Sequence, residues 1–155
     1  MNALEVAYRL IKLARENREL VPDLSQLKLQ KILFYAASWY AAQRNERLFT
    51  EDLYAWKYGP VVPAVYEAFK RFESRDLLDE SQVTTEADAV AEDAALDDDL
   101  MSVLRKYGKM SAYELVARTH DEWVWRKNYS GSNELMPFEE IKEAFLQKLP
   151  VSANN

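Results

Sequence analysis

The sequence predicts a mainly α-helical fold, a single compact helical domain of about six or seven helices with a minor short two-stranded β element. Only three glycines occur among 155 residues, and the helix formers alanine, leucine, glutamate and lysine are abundant. Apolar side chains recur three and four residues apart, as on the buried face of a helix. With 48% hydrophobic residues, the chain can build one core. We therefore assign residues 1–150 to one domain and expect a disordered C-terminal tail at 151–155.

The first two helices follow from periodicity and from their starting residues. The buried stripe of the N-terminal helix is predicted to be Ala3, Leu4, Ala7, Leu10, Ile11 and Ala14. After a break at Pro22, Asp23 is predicted to cap a second helix over about 24–43, with Gln26 in a capping box. That helix is apolar on most sides and is expected at the centre of the core. Its polar side, which we expect to face a partner or solvent, is the stripe Lys28, Lys31, Tyr35 and Ser38.

The β element is predicted in the middle of the chain. Leu53 to Tyr58 is a short aromatic run that favours a strand, and Gly59-Pro60 is predicted to form the following turn. Pro63 suits the first position of a third helix, where its missing N–H costs nothing. Residues 73–90 are predicted to be a loop that contains a second short strand at 83–85.

In the C-terminal half, capping residues predict where the helices begin and end. A helix is predicted to begin near Glu92, with Arg105 and Lys106 in its last turn and Gly108 as its cap. The segments 111–114 and 119–122 both have the pattern of a capping box, which predicts two short helices. Pro137 is predicted to open the last helix.

The charge pattern limits the classes of partner. The net charge is −6, and residues 73–99 contain eleven acidic residues and one basic residue. That segment is either a solvated connector or a surface for a basic partner. We expect no direct binding of nucleic acid. The longest apolar run, 32–42, is too short for a membrane span, which needs about 20 residues. We therefore expect no membrane association and a cytoplasmic location.

The search for catalytic chemistry leaves one candidate side chain. The absence of cysteine excludes thiolate sites, and three separated glycines form no phosphate-binding loop. We expect no cofactor and no metal site. His120 could join Ser111 and Asp121 or Glu122 in a Ser-His-acid triad, although no serine lies in a nucleophile-elbow pattern. The alternative is a structural hydrogen bond made by His120 in the first turn of its helix.

Protein binding is the class of function that the composition favours. The chain has four tryptophans and nine tyrosines, and these residue types anchor many interfaces. In the segment AWKYGPVVPAVY, residues 55–66, the turn chemistry predicts a scaffold role. Whether Trp56 and Tyr58 belong to the core or to an interface stays open at this point.

Three motifs in order give a resemblance to a known family. They are LKLQKILFYAASWY, LYAWKYGPVVPAVYEAF and YGKMSAYELVARTHDEWVW. Together they resemble the Panacea domain, which is carried by phage-associated GepA-like and SocA-like antitoxins, and the likeness covers about residues 5–148. The positions that match the family motifs are Lys28, Gln30, Lys31, Tyr35, Trp39, Trp56, Tyr58, Gly59, Pro60, Val61, His120 and Trp125.

The resemblance implies an antitoxin that neutralises a cognate toxin by direct binding, without catalysis. As an alternative, it implies an adaptor that delivers the toxin to a bacterial ATP-dependent protease. A His120-dependent enzyme is the third hypothesis, from a different class. The resemblance does not imply which of the motif positions touch the toxin, and it leaves the oligomeric state undetermined.

Overall fold

The fold is given by a computed structural model that describes residues 1–150; the predicted tail at 151–155 lies outside the described residues. Over this range the chain forms eight α-helices, two short 3₁₀ turns and a three-stranded antiparallel sheet. The helices are α1 (Ala3–Glu16), α2 (Gln26–Arg44), α3 (Pro63–Phe69), α4 (Ser81–Asp88), α5 (Ala94–Tyr107), α6 (Ala112–His120), α7 (Trp123–Asn128) and α8 (Phe138–Leu146). The strands are β1 (Leu53–Trp56), β2 (Gly59–Val61) and β3 (Glu134–Met136). The mainly α-helical class is confirmed.

Helix α2 lies at the centre of the molecule, as predicted from its apolar sides. It packs against α8, α5, α6 and β2, so its surface is covered in several directions at once. Its buried residues include Leu29, Leu33 and Phe34. Because the helix is surrounded, its apolar residues are not confined to one face.

The start of α2 differs from the prediction. Ser25, not Asp23, is the N-cap, and its hydroxyl accepts from the Lys28 N–H at 3.2 Å. The backbone N–H of Leu24 is already bound to Asp76 Oδ1 at 3.0 Å. This bond holds residue 24 in the preceding segment, and the helix begins two residues later.

The sheet has the order β2-β1-β3, with β1 in the middle. The prediction of a strand near residues 53–58 is confirmed, but the predicted strand at 83–85 is wrong because these residues belong to α4, where Val83 is buried. The partners of β1 are instead β2 and β3. The predicted turn is also shifted: Lys57 and Tyr58 make the turn, and Gly59 and Pro60 lie in β2. An edge strand accepts proline, since the missing N–H removes no ladder bond on the open side.

The segment predicted as a loop at 73–90 is more ordered than expected. It holds a 3₁₀ turn at Leu77–Asp79 and then α4. Leu77 and Leu78 are buried, and α4 packs against α1. Burial of these apolar side chains stabilises helical structure despite the acidic composition of the segment.

The helix starts after residue 90 are confirmed in part. Asp93 caps α5, Gly108 follows its last residue, and α8 follows Pro137. The capping box of Ser111 and Glu114 is present at the start of α6. The box predicted for 119–122 is wrong: Thr119 lies inside α6, where its hydroxyl donates to the Val116 carbonyl at 2.8 Å. His120 is therefore the last residue of α6 and does not lie in the first turn of α7.

Candidate functional site

Two polar side chains of α2 bind the backbone of residues 60–62, in β2 and just after it. Gln30 Oε1 accepts from the Val62 N–H at 2.9 Å, and Gln30 Nε2 donates to the Val62 carbonyl at 3.2 Å. From the next residue of the same helix, Lys31 Nζ donates to the Pro60 carbonyl at 2.7 Å. Both side chains are buried. The polar atoms of the first motif therefore hold the second motif in place.

The prediction that the polar stripe of α2 faces a partner or solvent is wrong. Lys28, Lys31, Tyr35 and Ser38 are at most 1% exposed. Each has an internal partner: Lys28 Nζ pairs with Asp23 Oδ1 at 3.1 Å, and Ser38 Oγ donates to the Phe34 carbonyl at 2.6 Å. The aliphatic part of a lysine side chain packs against apolar residues while its terminal amine reaches a hydrogen-bond acceptor. Buried polar groups that are paired in this way do not form a free surface.

Lys31 lies in an unusual environment for an amine. Its acceptor is a neutral carbonyl, and within residues 1–150 it has no carboxylate partner. Burial lowers the pKa of the Lys31 amine from 10.5 to about 7. At neutral pH this amine therefore exchanges between the charged and the neutral form.

Gly59 closes the space over Lys31. Its φ of +104° belongs to the region that favours glycine. A Cβ at this position would lie 2.6 Å from Thr119 Oγ1 and 3.1 Å from the Lys31 side chain. The close contact of β2 with both α2 and α6 therefore requires a residue without a side chain.

An aromatic cluster continues the motif of α2 beyond the sheet. The rings of Tyr35 and Tyr107 stack with their centroids 4.1 Å apart, and Trp39 Nε1 donates to the Tyr107 hydroxyl at 2.8 Å. The Tyr35 hydroxyl donates to Glu122, which pairs with Lys148. Burial, with a further contribution from Glu122, raises the pKa of Tyr35. The cluster joins α2, α5 and α7 rather than presenting a reactive group.

The third motif binds the same hairpin from its other end. Trp125 Nε1 donates to the Trp56 carbonyl at 2.9 Å, and His120 Nε2 donates to the Lys57 carbonyl at 3.0 Å. The His120 ring stacks on Trp125 with centroids 4.0 Å apart. Trp56 Nε1 in turn donates to Asn133 Oδ1 at 2.6 Å. The three motifs therefore meet at the β1–β2 hairpin, and His120 makes a structural hydrogen bond.

The twelve motif positions divide by exposure. Trp39, Trp56 and His120 are half-buried, and Tyr58 at the tip of the hairpin is 56% exposed. The buried positions are Lys28, Gln30, Lys31, Tyr35, Gly59, Pro60, Val61 and Trp125. The motif therefore forms mostly scaffold, and Tyr58 is its main contribution to the surface.

Beside Tyr58 lies a groove with a volume of about 560 Å³. It runs between the start of α2, the hairpin tip, the loop around residues 73–76 and the start of α6. Tyr113, which is 79% exposed, lines it together with Tyr58. Tyr113 was not among the predicted site residues. The feature that could have indicated it is an aromatic residue in the first turn of a helix with a capping box. Asp23, Glu73 and Asp76 supply carboxylates to the same groove.

A second pocket of about 330 Å³ lies between α2, α5 and residues 148–150. Trp39 and Tyr107 line it, and Lys106 Nζ lies 4.3 Å from the centroid of the Trp39 ring. Burial, followed by the charges of Arg118 and Lys148, lowers the pKa of Lys106. The polar atoms of its aromatic wall are already hydrogen-bonded to each other.

No group of three or more histidine, aspartate or glutamate side chains placed to hold a metal ion occurs in the described part of the chain. Among the helices formed by residues 1–150, none combines the length and the apolar character that crossing a membrane requires.

Comparison with known proteins places these motifs in a family. The family model described as Antitoxin SocA-like, Panacea domain, matches residues 29–126, a range that includes every motif position except Lys28. The chain is also 30% identical over 122 residues to the protein named Antitoxin SocA of Caulobacter vibrioides (strain NA1000 / CB15N). That match covers 71% of this chain and 63% of the length of the relative. No solved structure matches the chain significantly. The chain therefore belongs to the family of SocA-like antitoxins that carry a Panacea domain.

Proposed function

We propose that this chain is an antitoxin that neutralises a cognate toxin protein by direct, stoichiometric binding. The observation that carries the proposal is family membership, since the family model and the curated relative are both named for antitoxins. The partner is a protein toxin, and we place the complex in the cytoplasm.

The use of the polar motif residues supports binding rather than catalysis. Gln30 and Lys31 are engaged with the backbone of residues 60–62, and His120 Nε2 is engaged with the Lys57 carbonyl. A general base must reach the proton that it removes. Within residues 1–150 His120 makes no hydrogen bond to Ser111, Asp121 or Glu122, as a Ser-His-acid arrangement would require; the Ser111 hydroxyl accepts from the Glu114 N–H, and Glu122 binds Tyr35 and Lys148.

The surface is large enough for a tight complex. The exposed area of the chain is 8063 Å², and a standard interface takes about 800 Å² from each partner. One face of the molecule therefore suffices. Neutralisation at cellular concentrations calls for a nanomolar Kd, or about −12 kcal/mol.

Co-expression tests the proposal. The protein encoded by the adjacent gene is expressed alone and together with this chain, and growth, co-purification and the level of that protein are measured. We expect growth arrest when it is expressed alone, recovery on co-expression, a co-purified complex and an unchanged level of the toxin. A harmless neighbour and no complex would contradict the proposal. A toxin level that falls only while an ATP-dependent protease is present would instead support the adaptor hypothesis.

A further inference from the structure

We infer that the groove between Tyr58 and Tyr113 is the surface that binds the toxin, and that it takes an arginine-bearing segment of that protein. This inference rests on the proposed function, and it identifies the contact surface and the chemistry of the partner. We call this surface the tyrosine groove; its lining includes Asp23, Lys28, Tyr58, Glu73, Asp76 and Tyr113.

The aromatic residues of the groove are unusually accessible. Tyr58 is 56% exposed and Tyr113 is 79% exposed, and these are the two most exposed large hydrophobic side chains in residues 1–150. Tyrosine is an efficient interface anchor because its large ring has few rotatable bonds to order on binding. The ring of Tyr58 already has a cation nearby, with Lys57 Nζ 5.5 Å from its centroid. A cation from a partner can be bound in the same way.

The charge of the groove selects a basic occupant. Three acidic residues, Asp23, Glu73 and Asp76, line it together with the single lysine Lys28. The Lys28 ammonium is buried and paired with Asp23, and Asp76 Oδ2 lies 3.6 Å from Arg18 Nη2, so these two carboxylates already have cationic partners. The Glu73 carboxylate has neither an ion pair nor a hydrogen bond to any other residue in the range 1–150. A negatively charged groove with an unpaired carboxylate complements a cationic segment.

The hydrogen-bonding groups favour arginine over lysine. The groove combines the unpaired Glu73 carboxylate with the exposed rings of Tyr58 and Tyr113. Arginine carries five N–H donors in a planar fork that pairs with carboxylates and stacks on aromatic rings. One guanidinium can therefore use both kinds of group that the tyrosine groove provides.

The backbone at Glu73 gives an independent observation. Its φ of +52° and ψ of −124° lie in a region that is unstrained only for glycine. Replacement by glycine would relieve this strain, whereas the present residue carries an exposed, unpaired carboxylate at the groove. A strained backbone that presents an unused charge is typical of a residue retained for binding.

Calorimetric titration of the adjacent gene's protein into this chain tests the inference. Tyr58→Ala and Tyr113→Ala are each expected to weaken Kd by about 30-fold, the scale of an interface anchor. Glu73→Gly is expected to weaken binding at least about fivefold while the thermal unfolding temperature is unchanged or higher. The matched control is Leu135→Ala, since Leu135 is 43% exposed but does not line the groove; we expect its Kd within twofold of wild type. Both tyrosines are exposed, and circular dichroism should show that each variant remains folded.

The outcomes separate the inference from the proposed function. If wild type binds the toxin and all three groove variants bind it within twofold of the wild-type Kd, the tyrosine groove is not the toxin-binding surface, and the antitoxin proposal stands. If wild type does not bind, the proposed function fails and the inference fails with it. The arginine is tested by changing each arginine of the partner to lysine. One such change in the partner should raise its Kd for the wild-type chain about tenfold, and should raise its Kd for the Tyr113→Ala variant much less. If no arginine of the partner shows this coupling, the identification of the occupant is overturned.

Discussion

Gln30 exchanges two hydrogen bonds with Val62, the residue that follows β2, so that one side chain of α2 binds both the N–H and the carbonyl of that residue. The amide of Gln30 acts toward Val62 as a neighbouring strand would. This pairing links the LKLQK segment to the YGPVV segment, because the first supplies side chains that bind the backbone of the second. The central helix and the hairpin are therefore one structural unit.

Replacing Gln30 with leucine is predicted to destabilise the protein by about 1–3 kcal/mol. The change keeps the volume but leaves the buried Val62 N–H without a partner, whereas the Val62 carbonyl keeps the N–H donors of Val65 and Tyr66 at 3.0 and 3.1 Å. Urea denaturation followed by circular dichroism measures the free energy of unfolding. Gln43→Leu is the matched control, because Gln43 is exposed on the same helix, and its effect should stay within about 0.5 kcal/mol. Equal effects of the two changes would show that the pairing is unimportant.

Lys31 predicts a dependence of stability on pH. The folded protein lowers the pKa of the Lys31 amine to about 7, whereas its ordinary value is 10.5. Between these values the unfolded chain binds a proton that the folded chain does not, so stability rises with pH. Below pH about 7 both states are protonated, and the full cost of burying the charge is present.

The comparison of wild type with Lys31→Met isolates this effect. From pH 7 to pH 9 the free energy of unfolding of wild type, relative to the variant, should rise by about 1 kcal/mol per pH unit. From pH 5 to pH 6 the difference should be constant. A difference that does not change between pH 5 and pH 9 would rule out a lowered pKa.

Gly59→Ala is predicted to destabilise the protein by at least about 2 kcal/mol. The new Cβ would meet Thr119 Oγ1 at 2.6 Å, and the backbone has a positive φ. Gly131→Ala is the control, because its φ is +91° but nothing lies within 4 Å of its added Cβ. This control carries the backbone strain alone, about 1–2 kcal/mol. Thermal or urea unfolding of both variants measures the contribution of the close contact, and identical losses would contradict the packing described for β2.

His120→Gln tests the enzyme hypothesis. The glutamine amide can still donate to the Lys57 carbonyl, but the ring stack on Trp125 is lost. We expect the unfolding temperature to fall by about 2–4 °C and neutralisation of the co-expressed toxin to persist. Growth in the co-expression strain measures neutralisation. A variant that still co-purifies with the toxin but no longer protects the cell would indicate catalysis by His120.

Sequence patterns predicted the helices well where capping and periodicity agree. The helices α1, α5 and α8 have clear starting residues and one apolar face. The segment 83–85 was mistaken for a strand because β-branched residues favour strands locally, whereas burial of Val83 in a helix against the core is the stronger term. The strand β3 has three residues, and its existence depends on pairing with β1. Such a pairing between distant segments leaves no pattern in the local sequence.

The site was harder to predict than the fold. Lys28 and Lys31 were expected on the surface because an isolated lysine prefers water. The acceptor of Lys31, the Pro60 carbonyl, lies 29 residues away and becomes its neighbour only in the folded chain, whereas Asp23 lies five residues from Lys28 but was expected to act as a helix cap. A helix that is apolar on most sides but holds a few fixed polar residues could have indicated buried pairing. The tyrosine groove could not be read from spacing, because Tyr58, Glu73 and Tyr113 come from three separate parts of the chain.

Neutralisation by stoichiometric binding can be measured by titrating the purified protein of the adjacent gene with this chain while the toxic activity of that protein is followed. If binding alone neutralises the toxin, its residual activity falls linearly with added chain, reaches zero at a fixed whole-number ratio and does not change with further incubation. Loss of toxin activity at substoichiometric amounts, progressing with time, would contradict it.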